Sequence, residues 1–195
     1  RASTTSRAAR KAPAAASGGT AWSEASGLLK QPFILVLWLV TLVDGFVHNC
    51  YFNWTGVFLG TAREAGGVGI AANWITPVMS IGQVAEILTM FVLGATLKKL
   101  GWRVTMVVGI LGHAARFAVY ALFASSAGAI ITVQVLHGIC YAFFFATVYI
   151  FVDAYCAKNI RASAQGLFNL QILGLGVLLA NTICPWLIQS VYTTG

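Results

Sequence analysis

The residue best suited to chemistry is Glu86, because it lies near the middle of an apolar run from Asn73 to Leu97. Such a run can cross a bilayer, which needs about 20 apolar residues. Inserting a carboxyl group at that depth costs about 3 kcal/mol or more, so acids inside membranes usually serve a function. Gln83 lies three positions earlier, about 60° away around a helix axis. The pair predicts a proton or solute site. The alternative is a structural carboxyl that is neutral or paired with Arg116.

Three further polar residues fall inside apolar runs. Arg116 is expected to form a structural ion pair, or to reach the outer headgroups. Asp44 lies beside Gly45 near the middle of an earlier run, and both a structural and a proton-coupling role stay open. Asn53 shares a helix face with Asn49, and such side chains bond either a polar solute or a neighbouring helix.

An aromatic stripe follows at four-residue spacing, formed by His137, Tyr141, Phe145 and Tyr149. Aromatic faces can stack on a planar ring, while the Tyr hydroxyl and the His nitrogens can bond its edge. The simpler interpretation is packing against lipid or core. We expect His137 to be a structural polar group within this stripe, and its presence favours a cavity beside it.

Composition identifies the elements that must position these residues. The chain is 58% hydrophobic and only 9% charged, whereas a soluble domain carries about 25% charged residues. Apolar runs without alternation predict membrane helices rather than barrel strands. The fold class is therefore an all-α integral membrane protein with five transmembrane helices, expected at about 32–59, 73–97, 104–123, 129–152 and 164–188.

The basic residues predict the orientation. They concentrate before the first helix, in the turn at 98–103 and between the fourth and fifth helices. By the positive-inside rule these loops are cytoplasmic, which places the N-terminus inside and the end of the chain outside the cell membrane. The net charge of +7 therefore reflects topology and a lipid bilayer partner, not a nucleic acid.

Residues 1–31 form a separate basic segment, expected to be flexible and cytoplasmic. The stretch 1–21 has no acid and is rich in Ala, Ser and Arg. It is typical of a linker between two membrane halves, and a transit peptide is the alternative. Residues 32–195 form the membrane bundle.

Enzyme motifs are missing from the sequence. It has no Gly-x-Ser-x-Gly, His-Glu-x-x-His, Walker A or Cys-x-x-Cys pattern. The four cysteines show no metal-ligand or disulfide spacing. We therefore expect no enzymatic activity, no cofactor and no metal.

Six stretches together resemble the nucleoside:proton symporters of the major facilitator superfamily: YFNWTGVFL (51–59), GQVAEILTM (82–90), LKKLGWR (97–103), ARFAVYALF (115–123), LHGICYAFFF (136–145) and RASAQGLF (161–168). That family has twelve helices in two halves. The resemblance implies that this chain corresponds to helices seven to eleven, preceded by part of the central loop. The N-terminal half and the last helix of the transporter would then be missing partners.

The resemblance also implies a nucleoside site. Gln83 and Glu86 match a polar pair that contacts the nucleoside, and Asn53 matches a polar position that bonds it. Tyr141 and Phe145 match aromatic positions lining the same cavity. The implied function is import of nucleosides with protons by alternating access, in which Glu86 could bind substrate, carry the proton or do both.

One position departs from the family pattern. Gly56 stands where the bacterial permeases carry an amide side chain, which puts one substrate hydrogen bond in doubt. Two alternatives therefore remain. One is a transporter of another small solute such as a sugar or drug, and the other is a membrane protein that does not transport.

Overall fold

The computed structural model describes residues 18–192, with side chains from 22 to 190, and its regular elements are all helical. Four helices are long and apolar enough to cross a membrane by length and composition. The helices are α1 (Gly18–Gly27), α2 (Pro32–Gly60), α3 (Ala72–Leu122), α4 (Ala127–Tyr155) and α5 (Arg161–Ser190).

Helix α3 contains two membrane spans, because its 51 residues are broken at Gly101 (φ 73°, ψ 171°). The first part (residues 72–100, α3a) runs parallel to α4, and the second (102–122, α3b) runs antiparallel to it. The contacts that show these directions are Gly82 with His137, Ala85 with Gly138, Gly109 with Phe144, and Gly112 with Cys140.

This break gives the predicted five spans and corrects one detail. We expected separate helices at 73–97 and 104–123, joined by a basic turn. Instead the chain reverses at a single residue, because glycine adopts a left-handed backbone that a side chain would disfavour. The predicted all-α membrane fold is confirmed.

Helix α4 lies between the two parts of α3, and a glycine allows the contact with α3a. A Cβ placed on Gly138 would lie 2.4 Å from the backbone of Ala85. No side chain fits at that distance, so the two backbones touch directly. This contact brings His137, the residue before Gly138, towards Glu86, the residue after Ala85.

Helix α2 runs parallel to α5, and polar side chains join the two. The indole Nε1 of Trp38 donates to the carbonyl of Leu167 at 3.2 Å. Farther along, the amide of Asn49 donates to the carbonyl of Ile172 at 3.1 Å. Asn49 thus takes the interhelical role expected of a membrane asparagine.

The aromatic stripe on α4 does not form one open face. Residues Tyr141–Ala146 are π-helical, and wider turns of this kind change which side of a helix its residues face. His137 and Phe145 are fully buried, whereas Tyr141 and Tyr149 are half-buried. The four-residue spacing therefore overstated the aromatic surface that is open to a solute.

The described part of the N-terminal segment is packed rather than loose. Trp22 on α1 lies over Gly166 of α5, and Ala25 is fully buried. The amide of Asn159 donates to Glu24 at 3.2 Å. The flexibility expected for residues 1–31 thus does not extend to α1, and residues 1–17 lie outside the described range.

The contact at Gly138 yields a prediction for the full-length protein that contains this chain. Gly138→Ala should lower its thermal stability in detergent by about 1–3 kcal/mol, because overpacking forces the backbones apart. Gly94→Ala is the matched control, since a Cβ there meets no atom within 4 Å and alanine favours helices. Equal melting temperatures for the two variants would contradict the described helix contact.

Candidate substrate and proton site

Glu86, on α3a, lies partly exposed at the edge of a cluster of buried polar side chains. Its side chain is 26% exposed, and its Oε2 lies 3.5 Å from Nε2 of His137, whose side chain is 1% exposed. This separation is too long for a good hydrogen bond, and His137 Nε2 has no hydrogen-bond partner among the described residues. The carboxylate can therefore still bond another group on its open side.

Arg116 fixes the tautomer of His137. Its Nη1 lies 3.0 Å from Nδ1 of His137. A guanidinium donates hydrogen bonds and cannot accept them. Nδ1 must therefore be the acceptor, so the ring proton of His137 sits on Nε2, towards Glu86. His137 thus lies between Arg116 and Glu86, so the direct pairing of these two residues that the sequence left open as an alternative is not formed.

Arg116 packs on one member of a hydrogen-bonded group, while its Nε and Nη2 have no hydrogen-bond partner among the described residues. Its guanidinium carbon lies 3.8 Å from the centre of the Tyr51 ring, and the side chain is fully buried. Tyr51 donates its hydroxyl proton to Gln134 Oε1 at 2.9 Å, and Gln134 Nε2 donates to the Tyr120 hydroxyl at 2.8 Å. Cation–π contact with Tyr51 offsets part of the cost of burying the charge.

A second acid pair lies deeper in the bundle. Asp44 Oδ1 of α2 is 2.8 Å from Nδ1 of His113 on α3b, and both side chains are at least nine-tenths buried. With the carboxylate ionised, the His113 Nδ1–H donates to it. Asp44 Oδ2 and His113 Nε2 have no hydrogen-bond partner among the described residues.

His48 lies between the two acid pairs. Its ring is stacked on His137 with centroids 5.5 Å apart and lies edge-on to His113 at 5.9 Å. The ring is buried, and its Nδ1 is unpartnered within the described part of the chain. Three histidine rings therefore connect the surface carboxylate to the buried one.

Aromatic rings surround His48. The centroids of Phe52, Tyr141 and Phe145 lie 5.0, 5.6 and 4.9 Å from its ring centre. Of these, Tyr141 is half-buried and lies near Glu86. Phe145 is fully buried and supports the others from behind. Glu86 and Tyr141 thus lie at the open edge of the cluster.

Two predicted site residues lie apart from these contacts. Asn53 is exposed, and its amide donates to Asn181 Oδ1 of α5 at 3.0 Å. Gln83 is exposed on α3a, one turn before Glu86. The structure therefore brings Glu86, His137 and Arg116 together, places Tyr141 against His48, and sets Asn53 on the α5 side of α2.

Sequence reasoning assigned no role to His113 or to His48. Both had a usable signal. His48 is four residues after Asp44, and Arg116 is three residues after His113, so each pair shares a helix face. Gln134 gave no such signal, because its partners come from α2 and α3b. Among the described residues, no group of three or more His, Cys, Asp or Glu side chains is arranged to hold a metal.

The arrangement has two chemical capabilities. Its open edge offers a carboxylate and an aromatic ring, which suits a polar, planar solute. Its interior offers histidine and carboxylate groups that exchange protons. The same bundle thus offers groups for a solute at its open edge and groups for a proton in its interior.

Comparison with known proteins gives related sequences and a related fold. The protein named "Putative nucleoside transporter YegT" of Escherichia coli (strain K12) is 32% identical over 171 residues, which cover 85% of this chain and 38% of that protein. Nucleoside permease NupG of the same organism is 29% identical over 121 residues, covering 60% of this chain and 29% of NupG.

A solved structure agrees with the described fold. The crystal structure of a mutant form of nucleoside transporter NupG matches with a TM-score of 0.69 at 22% identity, covering 91% of this chain and 46% of that one. The chain thus spans less than half the length of the relatives it matches. The family model described as nucleoside H+ symporter matches residues 4–195. The chain belongs to the nucleoside H+ symporter family, and its long apolar helices are those of an integral membrane protein.

Proposed function

We propose that the transporter containing this chain moves nucleosides together with protons by alternating access. The observation that carries this proposal is the partly exposed Glu86 carboxylate, which lies next to the buried His137–Arg116 pair. Family membership supplies the solute class. Transport, rather than catalysis, is the proposed activity.

Glu86 is the proposed centre of nucleoside binding. Ribose hydroxyls and base N–H groups are donors, and an ionised carboxylate accepts from both. His137 Nε2 lies on one side of Glu86 at 3.5 Å, and the exposed side of the carboxylate is proposed to face the solute. Gln83, one turn away, adds an amide that can both donate and accept. Asn53 is proposed as a further contact, reached from the α5 side of α2.

The proposed base contact is Tyr141. Its half-buried ring can stack on a planar base, and such contacts are worth about 1–3 kcal/mol per base. Phe145 is proposed to contribute to the same side of the site by supporting Tyr141. It is buried, and its ring centroid lies 5.7 Å from that of Tyr141. Replacing Phe145 should therefore disturb the wall as a whole.

The remaining parts of the transporter are proposed to close the site. Residues 32–195 would form most of a C-terminal six-helix half, equivalent to helices seven to eleven, and residues 1–31 part of the central loop. The N-terminal half would supply the opposite wall of the cavity. The N-terminal side would face the cytoplasm of a cell whose plasma membrane holds the protein, as the basic loops indicate.

The role of Glu86 is testable by substitution in the full-length transporter. Glu86→Gln removes the charge and keeps the size. We expect nucleoside uptake to fall about 10-fold or more at limiting substrate, because a hydrogen bond to a charged group is worth about 1.5–3 kcal/mol. Initial rates of labelled uridine uptake, in cells lacking other nucleoside transporters, measure the effect.

Glu64→Gln is the matched control, because Glu64 lies exposed in the loop between α2 and α3. Its uptake should equal that of the unmodified transporter. Unchanged uptake in Glu86→Gln, with equal amounts in the membrane, would remove Glu86 from the site. If sugars compete with labelled uridine as strongly as unlabelled nucleosides do, the proposed solute class is wrong.

The stacking role of Tyr141 is tested by a pair of variants. Tyr141→Leu should raise the KM for uridine about 10- to 100-fold, because it removes the ring on which the base stacks. Tyr141→Phe keeps the ring on which the base stacks and removes only the hydroxyl. The KM should therefore change by less than about three-fold. Equal KM values for the two variants would exclude stacking at this position.

A further inference from the structure

We infer that the buried Asp44–His113 pair is the proton-carrying site of the transporter, separate from the nucleoside contact at Glu86. The inference rests on the proposed symport function and divides its two tasks between two acids. Asp44 and His113 would bind the coupled proton as a unit. Glu86 would bind the solute, and His48 would link the two.

The first support is the charge of the cluster. Within the described residues, Arg116 supplies one positive charge, and the carboxylates of Asp44 and Glu86 supply two negative charges. With all three histidines neutral, the cluster carries a net charge of −1. Uncompensated charge is costly in a membrane interior. Binding a single proton therefore neutralises the cluster.

The second support is that the tautomer of His137 excludes it as the carrier. Nδ1 of His137 accepts from Arg116 at 3.0 Å, and Arg116 remains protonated at any accessible pH. A second proton on this ring would have to displace that bond and place two cations side by side. His137 is therefore a positioning residue for Glu86.

The third support is the geometry of the Asp44–His113 pair. Nδ1 of His113 donates to Asp44 at 2.8 Å, which leaves Nε2 buried and without a partner among the described residues. A proton on Nε2 converts the pair into a close, neutral ion pair. The pair also borders a groove of about 670 Å³ whose other lining residues are almost all apolar.

Several ionisable groups face this pair from the neighbouring helices. His48 lies one turn along α2, and Arg116 lies one turn along α3b. Cys140 of α4 lies close enough to Asp44 to interact electrostatically. From α5, the backbone of Gln171 packs on Gly45 and brings no charge. Arg116 is the one permanent cation of this set, and His137 already occupies its Nη1.

A path for coupling runs through His48. The ring of His48 contacts those of His113 and His137, and His113 acts electrostatically on His137. Charging His113 therefore changes the field at His137 and at the Glu86 carboxylate beyond it. Symport requires that this change strengthens nucleoside binding at Glu86, and because such coupling is reciprocal, the bound nucleoside would then favour the proton at His113.

The proton step is simple to balance. On the outer side, hydronium gives a proton to His113 Nε2, so one N–H bond forms and water is left. On the inner side, the same N–H bond breaks and water accepts the proton. Nothing is oxidised or reduced, and one positive charge crosses with each cycle.

The test uses the full-length transporter in proteoliposomes with two readouts. Counterflow of labelled uridine against internal uridine, without a pH gradient, reports substrate binding and exchange. Accumulation driven by an imposed pH gradient reports proton coupling. For Asp44→Asn and for His113→Gln we expect exchange within about five-fold of the unmodified protein, and no accumulation above equilibrium. Glu64→Gln should behave as unmodified in both.

Each result then has a clear meaning. Gradient-driven accumulation in both Asp44→Asn and His113→Gln would overturn the inference, as would loss of exchange in both while the protein stays folded. If neither variant folds and the double exchange of Asp44→His with His113→Asp does not restore folding, the pair is structural and the inference is wrong. If the unmodified transporter exchanges no nucleoside, the proposed function itself fails.

Discussion

The hydrogen bond from Arg116 to Nδ1 of His137 is the constraint on which the polar interior depends. Because a guanidinium can only donate, this bond decides where the proton of His137 sits and therefore what Glu86 faces. Tyr51 packs on this fully buried cation, and Tyr51, Gln134 and Tyr120 are hydrogen-bonded to one another. The partly exposed Glu86 carboxylate thus lies against buried groups that no solute reaches.

Close helix packing makes this network possible. Helix α4 carries His137 and touches both parts of α3, and the contacts occur at Gly138 and Gly109, where a Cβ would lie within 3 Å of the opposing residues. Small residues at these positions let α3a, α3b and α4 pack closely, which brings their polar side chains Glu86, Arg116 and His137 together. Apolar residues dominate the outer faces, as in α3a, where Phe91 is 80% exposed. The same bundle therefore meets lipid or other helices outside and holds charge inside.

Much of the fold followed from composition, whereas the site followed only in part. Apolar runs and basic loops predicted the membrane helices, because length and hydropathy alone decide whether a segment spans. The spacing of Gln83 and Glu86 indicated a polar face, and the family resemblance indicated a nucleoside. The relay through His137 could not be predicted, since it depends on how α3a, α3b and α4 pack. Nor could the π-helical segment of α4, which no local spacing reveals and which leaves Phe145 buried.

The solute and the proton are proposed to bind one cluster of side chains, and each is proposed to strengthen the binding of the other. Calorimetric titration of uridine into the purified full-length transporter tests this claim most directly, when it is run at one pH in two buffers of different ionisation enthalpy. The difference between the two heats gives the number of protons taken up on binding. We expect a net uptake of protons by the transporter when uridine binds. It should approach about one proton per uridine at a pH where the cluster is mostly unprotonated. Identical heats in both buffers across the pH range would show that binding and protonation are independent, which contradicts this claim.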